Sequence, residues 1–294
     1  MARSEEVRAL QQRITDEIFL ALGLSKNGRL RRMFGWLFAL PTGRFAEAFA
    51  DADEAVGRGG MSAGCRVLLP KFSVELRQHG AEALPREGPL LIVSNHPGAY
   101  DSISLGACVQ RPDLKIVAWA TPFYRAMTRT HPWFIYASED PTENMLSLRA
   151  CIQHLQAGGA LLTFGTGKIE PDPAFTGGAE EWIGRWSPSS EIMLRKVPAA
   201  RLVVAIASGV LLPRFARSPL TRLRRDPIDQ RRIGEFTQII TQLVNPAAVR
   251  PYVRLSFAAP LGVSELQAAA GERRLLPAIQ ARAARLLEEH LQGI

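Results

Sequence analysis

The pattern of apolar and polar positions divides the chain near residue 70. Over residues 5 to about 70, apolar residues recur at spacings of three and four, as in VRALQQRITDEIFLALGL, which predicts amphipathic helices. From Leu68 onward, short apolar and β-branched runs alternate with helical stretches, as an alternating strand and helix fold requires. We therefore predict a helical appendage over residues 1–70 and an α/β domain over residues 71–294.

The candidate strands are continuous apolar runs. Such runs are typical of strands that are covered on both faces, so we expect a mostly parallel or mixed sheet with helices on both faces. The predicted strands cover residues 89–94, 114–120, 133–137, 159–165, 201–208 and 252–258. The predicted helices of this region cover residues 101–110, 142–157, 229–243 and 274–291.

Composition and charge narrow the class of partner. The chain has 294 residues, 47% hydrophobic and 22% charged, which indicates a folded protein with a substantial core. Thirty-six Lys and Arg against 28 Asp and Glu give a net charge of +8, which favours anionic partners: lipid surfaces, phosphorylated substrates or acidic carrier proteins. Neither a zinc-finger spacing nor an aromatic RNA-binding strand is present, so we expect no nucleic-acid partner.

The spacing of the cysteines and the hydropathy of the chain indicate whether disulfides, a metal site, a secretory signal or a membrane-spanning helix are to be expected. Cys65, Cys108 and Cys151 are widely separated and form no C-x-x-C, so neither a disulfide framework nor a metal site is predicted. The start, MARSEEVRALQQRITDEIF, has acidic residues too early for a secretory signal. No stretch reaches the ~18 uninterrupted apolar residues of a spanning helix. We expect a cytoplasmic protein that is soluble or bound to a membrane surface.

The stretch SNHPGAYD carries the candidate chemistry. It places Asn95 and His96 directly after the apolar run PLLIVS, at the end of a strand, where open α/β sheets bind ligands. Pro97 and Gly98 form a turn, and Asp101 then lies in the first turn of the next helix. A histidine held by a carboxylate through one ring nitrogen presents the other as a general base. The alternative is a strand-end histidine beside a helix-capping aspartate.

The segment IVSNHPGAYDS resembles the N-H-x-x-x-x-D block of the glycerolipid acyltransferases, the family of glycerol-3-phosphate and lysophosphatidate acyltransferases. The resemblance covers about residues 71–260, because VELRQHGAEALPREGPLLIVSNH, PWFIYA, LQAGGALLTFGTGKIEP and RLVVAIASGVLLP are similar to the lead-in and the later blocks, in order. In that family the histidine deprotonates the acceptor hydroxyl, which attacks an acyl thioester, and the aspartate orients it. The resemblance gives these roles to His96 and Asp101, while Asn95 and Gly98 shape the turn.

The third block departs from the family pattern. The usual sequence of this block is F-P-E-G-T-R. Here Phe164 and Gly167 are retained, and Thr166 replaces the glutamate. Lys168 and Ile169 occupy the last two positions, so the arginine is absent. The arginine that usually follows the second block is also absent, so both expected phosphate contacts are missing. We expect an acceptor other than glycerol 3-phosphate, bound by the loop Phe164, Thr166, Gly167 and Lys168. Lys168 is either a substitute point charge or a solvated loop residue.

Two basic segments are candidate contacts for anionic surfaces. KNGRLRRMFGWLFALPTGRF combines basic and aromatic residues as an interfacial helix does, and the predicted membrane-contact residues are Arg31, Arg32, Phe34, Trp36 and Phe38. The alternative is a packed helix with a charged start. Residues 214–232 hold seven arginines, which either meet anionic lipid, coenzyme A phosphates or an acidic carrier protein, or form a solvated face.

These observations predict a peripheral membrane O-acyltransferase of phospholipid biosynthesis at the inner face of the membrane. Its donor is acyl-CoA or acyl carrier protein, its acceptor is a lipid or a polar alcohol, and no other cofactor is expected. Two alternatives remain open. One is a non-catalytic lipid-binding or acyl-carrier-binding protein on the same fold, and the other is an acyl hydrolase.

Overall fold

The computed structural model of the chain describes residues 2–21, 29–270 and 274–293. The strands within these ranges are β1 (Glu75–His79), β2 (Leu90–Ser94), β3 (Lys115–Trp119), β4 (Phe134–Ala137), β5 (Ala160–Phe164), β6 (Arg201–Ser208) and β7 (Tyr252–Phe257). They form one sheet in the order β1-β7-β6-β2-β5-β3-β4. All neighbouring strands run parallel except β6 and β7, which are antiparallel, so the predicted mixed sheet is confirmed.

The six predicted strands are all present, and β2 lies near the middle of the sheet between β6 and β5. Each residue of β2 is buried, as the continuous apolar run predicts for a strand covered on both faces. The additional strand, β1, is polar and largely exposed at the edge of the sheet. Its sequence, ELRQH, has no apolar run, which is why hydrophobicity did not reveal it.

The helices include the four predicted in the α/β region, together with short ones that the sequence pattern did not indicate. They are α1 (Ala2–Ala21), α2 (Arg29–Lys71), α3 (Ala99–Val109), α4 (Pro122–Ala126), α5 (Pro141–Gln156), α6 (Ala179–Ile183), α7 (Ser189–Lys196), α8 (Pro213–Ala216), α9 (Pro227–Val244), α10 (Val263–Ala270) and α11 (Leu275–Gln292). The unpredicted short ones are α4, α6, α7, α8 and α10. All five span fewer than three turns, too short to give a clear helical period.

Helix α2 is interrupted at Gly59 and Gly60, whose backbone angles are not helical. Gly60 has a φ of 74°, and a Cβ placed on it would lie 2.0 Å from the carbonyl oxygen of Pro112. Only glycine combines this backbone conformation with so close an approach. The kink therefore fits the second half of α2 against the loop after α3.

The two faces of the sheet are covered by different helices. Leu90 and Ile92 of β2 belong to a core shared with α1, α2 and α3, whereas Leu91 and Val93 belong to a core shared with α5, α7 and α11. The alternation follows from the two-residue period of a strand. Helices α1 and α2 thus form part of the layer over the face that carries Leu90 and Ile92. The division at residue 70 stays a prediction.

None of the described helices is both long and apolar enough to cross a membrane. The predicted membrane-contact residues lie at the start of α2. Trp36 is 73% exposed, while Phe38 is half-buried and packs edge-to-face on Phe19, with ring centroids 5.4 Å apart. The side chains of Arg31, Arg32 and Phe34 lie outside the part of the chain that is described. Membrane contact by these five residues remains a prediction.

Candidate active site

The end of β2 is fixed by the side chain of Asn95. Its Nδ2 donates to the carbonyl of Ala207 (2.9 Å), and its Oδ1 accepts from the amide of the same residue (2.7 Å). The Asn95 side chain therefore continues the pairing of β2 with β6 for one more residue. These two bonds hold the buried Asn95 side chain in place and position the chain that follows it.

Asp101 holds His96 and the turn between them at once. Nδ1 of His96 donates to Oδ2 of Asp101 at 2.8 Å, since a carboxylate can only accept. The same oxygen accepts from the amide of Gly98 (3.0 Å) at the start of α3. Asp101 is fully buried, whereas 25% of the His96 side chain is exposed. The arrangement leaves Nε2 of His96 as the nitrogen able to take up a proton.

The surroundings of His96 raise its pKa. Burial alone would lower it, but the charge and hydrogen bond of Asp101 and the charges of Glu235 and Glu170 outweigh burial. The imidazole ring stacks on Phe164 at the end of β5, with ring centroids 4.2 Å apart. His96 is thus held on one side by a carboxylate and on one ring face by an aromatic side chain.

The loop after β5 folds back onto His96. Oγ1 of Thr166 donates to Oε1 of Glu170 (2.8 Å), and the amide of Glu170 donates to the carbonyl of His96 (2.7 Å). Burial raises the pKa of Glu170 to about 7, although the bond from Thr166 opposes this. The carboxylate of Asp172 accepts from the amides of Gly209 (2.9 Å) and Val210 (2.8 Å), which ties the loop to the end of β6.

A further carboxyl group, that of the half-buried Glu235, reaches the site from α9. Oε1 of Glu235 is buried without a hydrogen-bond partner among the described residues, and it would lie 2.3 Å from a Cβ placed on Gly98. Burial raises the pKa of Glu235 to about 7, with the charge of Asp101 acting in the same direction and that of His96 opposing it. A side chain at position 98 would have to displace this carboxyl group, and the φ of 155° at Gly98 is itself unfavourable for residues other than glycine.

A cavity of roughly 730 Å³ extends from His96 between the sheet and the helices of the first 70 residues. Apart from His96, the acidic and basic residues of its wall are Glu17, Arg224, Asp229, Arg232 and Glu235. Its apolar wall includes Ile14, Ile18, Phe45, Phe49, Leu68, Phe72, Ile116, Phe123, Phe134, Phe236 and Ile239. A cavity of this volume, mostly apolar with a few polar groups beside a candidate base, is typical of a small-molecule or lipid site.

The predicted site residues are distributed unevenly around this cavity. His96, Phe164 and Gly167 line it. The described lining does not include Asn95, Gly98, Asp101, Thr166 or Lys168. Thr166 is engaged with Glu170, and the Lys168 side chain is exposed. The predicted loop thus presents backbone and an aromatic ring to the cavity, with its two polar side chains turned to other partners or to solvent.

Sequence reasoning missed the two glutamates. Glu170 follows the third block directly, so a search for a displaced carboxylate near that block would have found it. Glu235 carries no comparable signal, because in GEFTQII it is indistinguishable from a solvent-facing glutamate on an amphipathic helix. Within the described residues, no group of three or more His, Cys, Asp or Glu side chains is arranged to hold a metal ion.

Comparison with known proteins gives a match to a family model and a match to a solved acyltransferase structure. Residues 75–210 match the family model described as Acyltransferase. The structure of the 1-acyl-sn-glycerophosphate (LPA) acyltransferase PlsC from Thermotoga maritima aligns over 98% of this chain and 98% of that one, with a TM-score of 0.51 and 14% sequence identity. At that identity the likeness concerns the fold. A search of curated proteins finds no match.

Proposed function

We propose that the chain, whose residues 75–210 match the acyltransferase family model, moves a fatty acyl group from an acyl thioester to a hydroxyl of a glycerolipid-type acceptor. One observation carries the proposal. Nδ1 of His96 is bound to the buried carboxylate of Asp101 at 2.8 Å, while the ring forms part of the wall of an apolar cavity. A general base at the wall of an apolar cavity suits a substrate with a reactive head and a long hydrocarbon tail.

The proposed reaction needs no covalent enzyme intermediate. Nε2 of His96 takes the proton of the acceptor hydroxyl as its oxygen attacks the thioester carbonyl, and a new C–O bond forms. The resulting oxyanion collapses, the C–S bond breaks, and the proton held by His96 passes to the leaving thiolate. Asp101 keeps the required tautomer and stabilises the imidazolium that forms between these steps.

The acceptor is proposed to be a lipid or a polar alcohol other than glycerol 3-phosphate. At the position where the family resemblance would put a carboxylate, Thr166 is bound to Glu170. Ile169 occupies the position of the arginine, and Lys168 before it is exposed. Efficient turnover of glycerol 3-phosphate by the purified protein, lost on Lys168→Ala, would contradict this. The donor, acyl-CoA or acyl carrier protein, is also part of the proposal, as is a peripheral location on the cytoplasmic face of the membrane.

The first prediction concerns His96 itself. Incubation of the protein with a total lipid extract and labelled acyl-CoA or acyl carrier protein is expected to give a labelled ester that is absent for His96→Ala, because the base is gone. Mass spectrometry of the extracted lipids identifies the product. His79→Ala, an exposed histidine on the edge strand β1, serves as the matched control and should retain the ester.

Each alternative function has its own outcome in this experiment. Labelled free fatty acid in place of an ester, dependent on His96, identifies a hydrolase. Lipid bound without any labelled product from either donor identifies a binding protein. If His96→Ala forms the ester as well as wild type does, His96 is not the general base.

A further inference from the structure

A short 3₁₀ turn at Pro219–Leu223, between α8 and α9, presents two leucines to solvent. Leu220 is 50% exposed and Leu223 is 69% exposed, whereas Thr221 between them is buried. Oγ1 of Thr221 donates to the carbonyl of Ser218 (2.7 Å), and Oγ of Ser218 accepts from the amide of Leu220 (3.3 Å). The exposure of both leucines is therefore imposed by an ordered turn.

The residues around this turn are rich in arginine. Arg217, Arg222 and Arg225 are exposed and form no ion pair with any residue in the described ranges. We call residues 217–225 the arginine arm. Exposed leucines beside guanidinium groups without an ion pair suit the surface of an anionic bilayer. The leucines can contact acyl chains, and the arginines can contact the headgroup phosphates.

The arginine arm borders the opening of the cavity that contains His96. Nη2 of Arg224 donates to the carbonyl of Leu20 near the end of α1 (3.4 Å), which joins the arm to that helix. Leu20 and Arg224 line the cavity, as does Arg232 of α9. Because Leu20 is also 64% exposed, the cavity reaches the surface of the protein beside the arm.

We propose that the arginine arm binds the surface of an anionic lipid bilayer, with Leu220 and Leu223 inserted among the acyl chains and Arg222 and Arg225 at the phosphates. The cavity beside Leu20 then opens toward lipid, so that a hydrocarbon chain reaches His96 without crossing water. The bilayer is the partner that fits because it offers an apolar layer to the two leucines and, at the same depth along the arm, anionic phosphates to the arginines. The inference rests on the proposed transfer to a lipid acceptor, and it assigns the membrane contact to a segment distinct from the start of α2.

Sedimentation with lipid vesicles tests the arm directly on the full chain. Wild type is expected to bind vesicles of phosphatidylglycerol and phosphatidylcholine more tightly than vesicles of phosphatidylcholine alone. Leu220→Glu/Leu223→Glu should lower the partition coefficient at least about ten-fold. Arg222→Ser/Arg225→Ser should lower it roughly 25-fold on the anionic vesicles, since each arginine near such a surface contributes a factor of about five.

A matched control is available on α5, which packs against β4, β5 and α7. Met145 and Leu146 are each 57% exposed there, so Met145→Glu/Leu146→Glu introduces the same charges at a similar apolar pair. This control should bind vesicles as wild type does. Circular dichroism and thermal melting establish that each variant is folded.

Three results would overturn the inference: wild type that does not bind anionic vesicles, arm variants that bind as wild type does, and arm variants that lose only retention on immobilised acyl carrier protein. The last result would assign the arm to the carrier protein. His96-dependent transfer by wild type in detergent micelles is measured in parallel. If that transfer persists while the arm proves irrelevant to vesicle binding, only this inference fails; if transfer is absent, the proposed function fails on its own.

Discussion

At the scale of single residues, one carboxylate oxygen serves both the chemistry and the fold. Oδ2 of Asp101 accepts from Nδ1 of His96 and from the amide of Gly98, so the helix start and the imidazole are held by the same atom. The orientation of His96 therefore cannot change without disturbing the start of α3. This coupling also explains why the pair was readable in the sequence, since all its members lie within one turn.

Asp101→Asn is expected to shift the pH dependence of the reaction as well as its rate. Asp101 raises the pKa of His96 against the opposing effect of burial, so loss of its charge lowers that pKa. His96 acts as a base only when neutral. The acid limb of kcat/KM should therefore move to lower pH, while kcat falls by about 10² or more because the tautomer is no longer fixed.

The measurement is the pH profile of kcat/KM for the ester-forming reaction, with Asp140→Asn as control. Asp140 also caps a helix, accepting from the amides of Thr142 and Glu143 at the start of α5, but it is exposed and belongs to a different part of the fold. An unchanged acid limb in Asp101→Asn would mean that Asp101 does not act through the protonation of His96.

At the scale of elements, α9 completes a site that the strands begin. It carries Glu235 to the space above Gly98, and it lies outside the segment that matches the family model. The sequence revealed α9 as a helix from its apolar period, but not which of its polar residues faces inward. Contacts between residues close in sequence, such as His96 with Asp101, are predictable from spacing, whereas the approach of Glu235 depends on how α9 packs.

Glu235→Gln is expected to stabilise the protein above neutral pH. Burial raises the pKa of Glu235 from 4.5 to about 7, so ionisation is disfavoured in the folded state. Stability contributed by the protonated group is fully present below pH 4.5 and is lost as the pH rises toward 7. A change of that size corresponds to at most ~3 kcal/mol of unfolding free energy, which the neutral glutamine does not lose.

Thermal melting of wild type and Glu235→Gln between pH 5 and pH 8.5 measures this effect. The melting temperature of the variant should exceed that of wild type increasingly as the pH rises, whereas Glu288→Gln at an exposed position of α11 should follow wild type throughout. A constant difference between Glu235→Gln and wild type across the range would show that Glu235 does not titrate there.

At the scale of the whole molecule, the first 70 residues and the sheet share one apolar core and one cavity. The sequence predicted helices over the first 70 residues and an α/β region after them, whereas the division into an appendage and a domain at residue 70 stays a prediction. The helical period shows which face of a helix is buried, but it does not show which other element covers that face. The packing of Phe45, Phe49 and Phe72 around a cavity could therefore not be predicted from the sequence. The edge strand β1 was not predicted because its residues are polar, as suits an exposed strand, and therefore form no apolar run.

The shared cavity predicts that acyl chain length depends on the sheet wall opposite α1 and α2. Ala118 of β3 lines the cavity and is only partly buried, so Ala118→Phe is expected to fill part of its volume with little effect on the packed core. Rates with long acyl donors should fall about ten-fold or more, while short donors remain good substrates. Ala150→Phe on α5 adds the same ring to the opposite face of the sheet and should leave the profile unchanged. kcat/KM across a series of donor lengths separates the two variants, and identical profiles would mean that the hydrocarbon chain does not occupy this cavity during transfer.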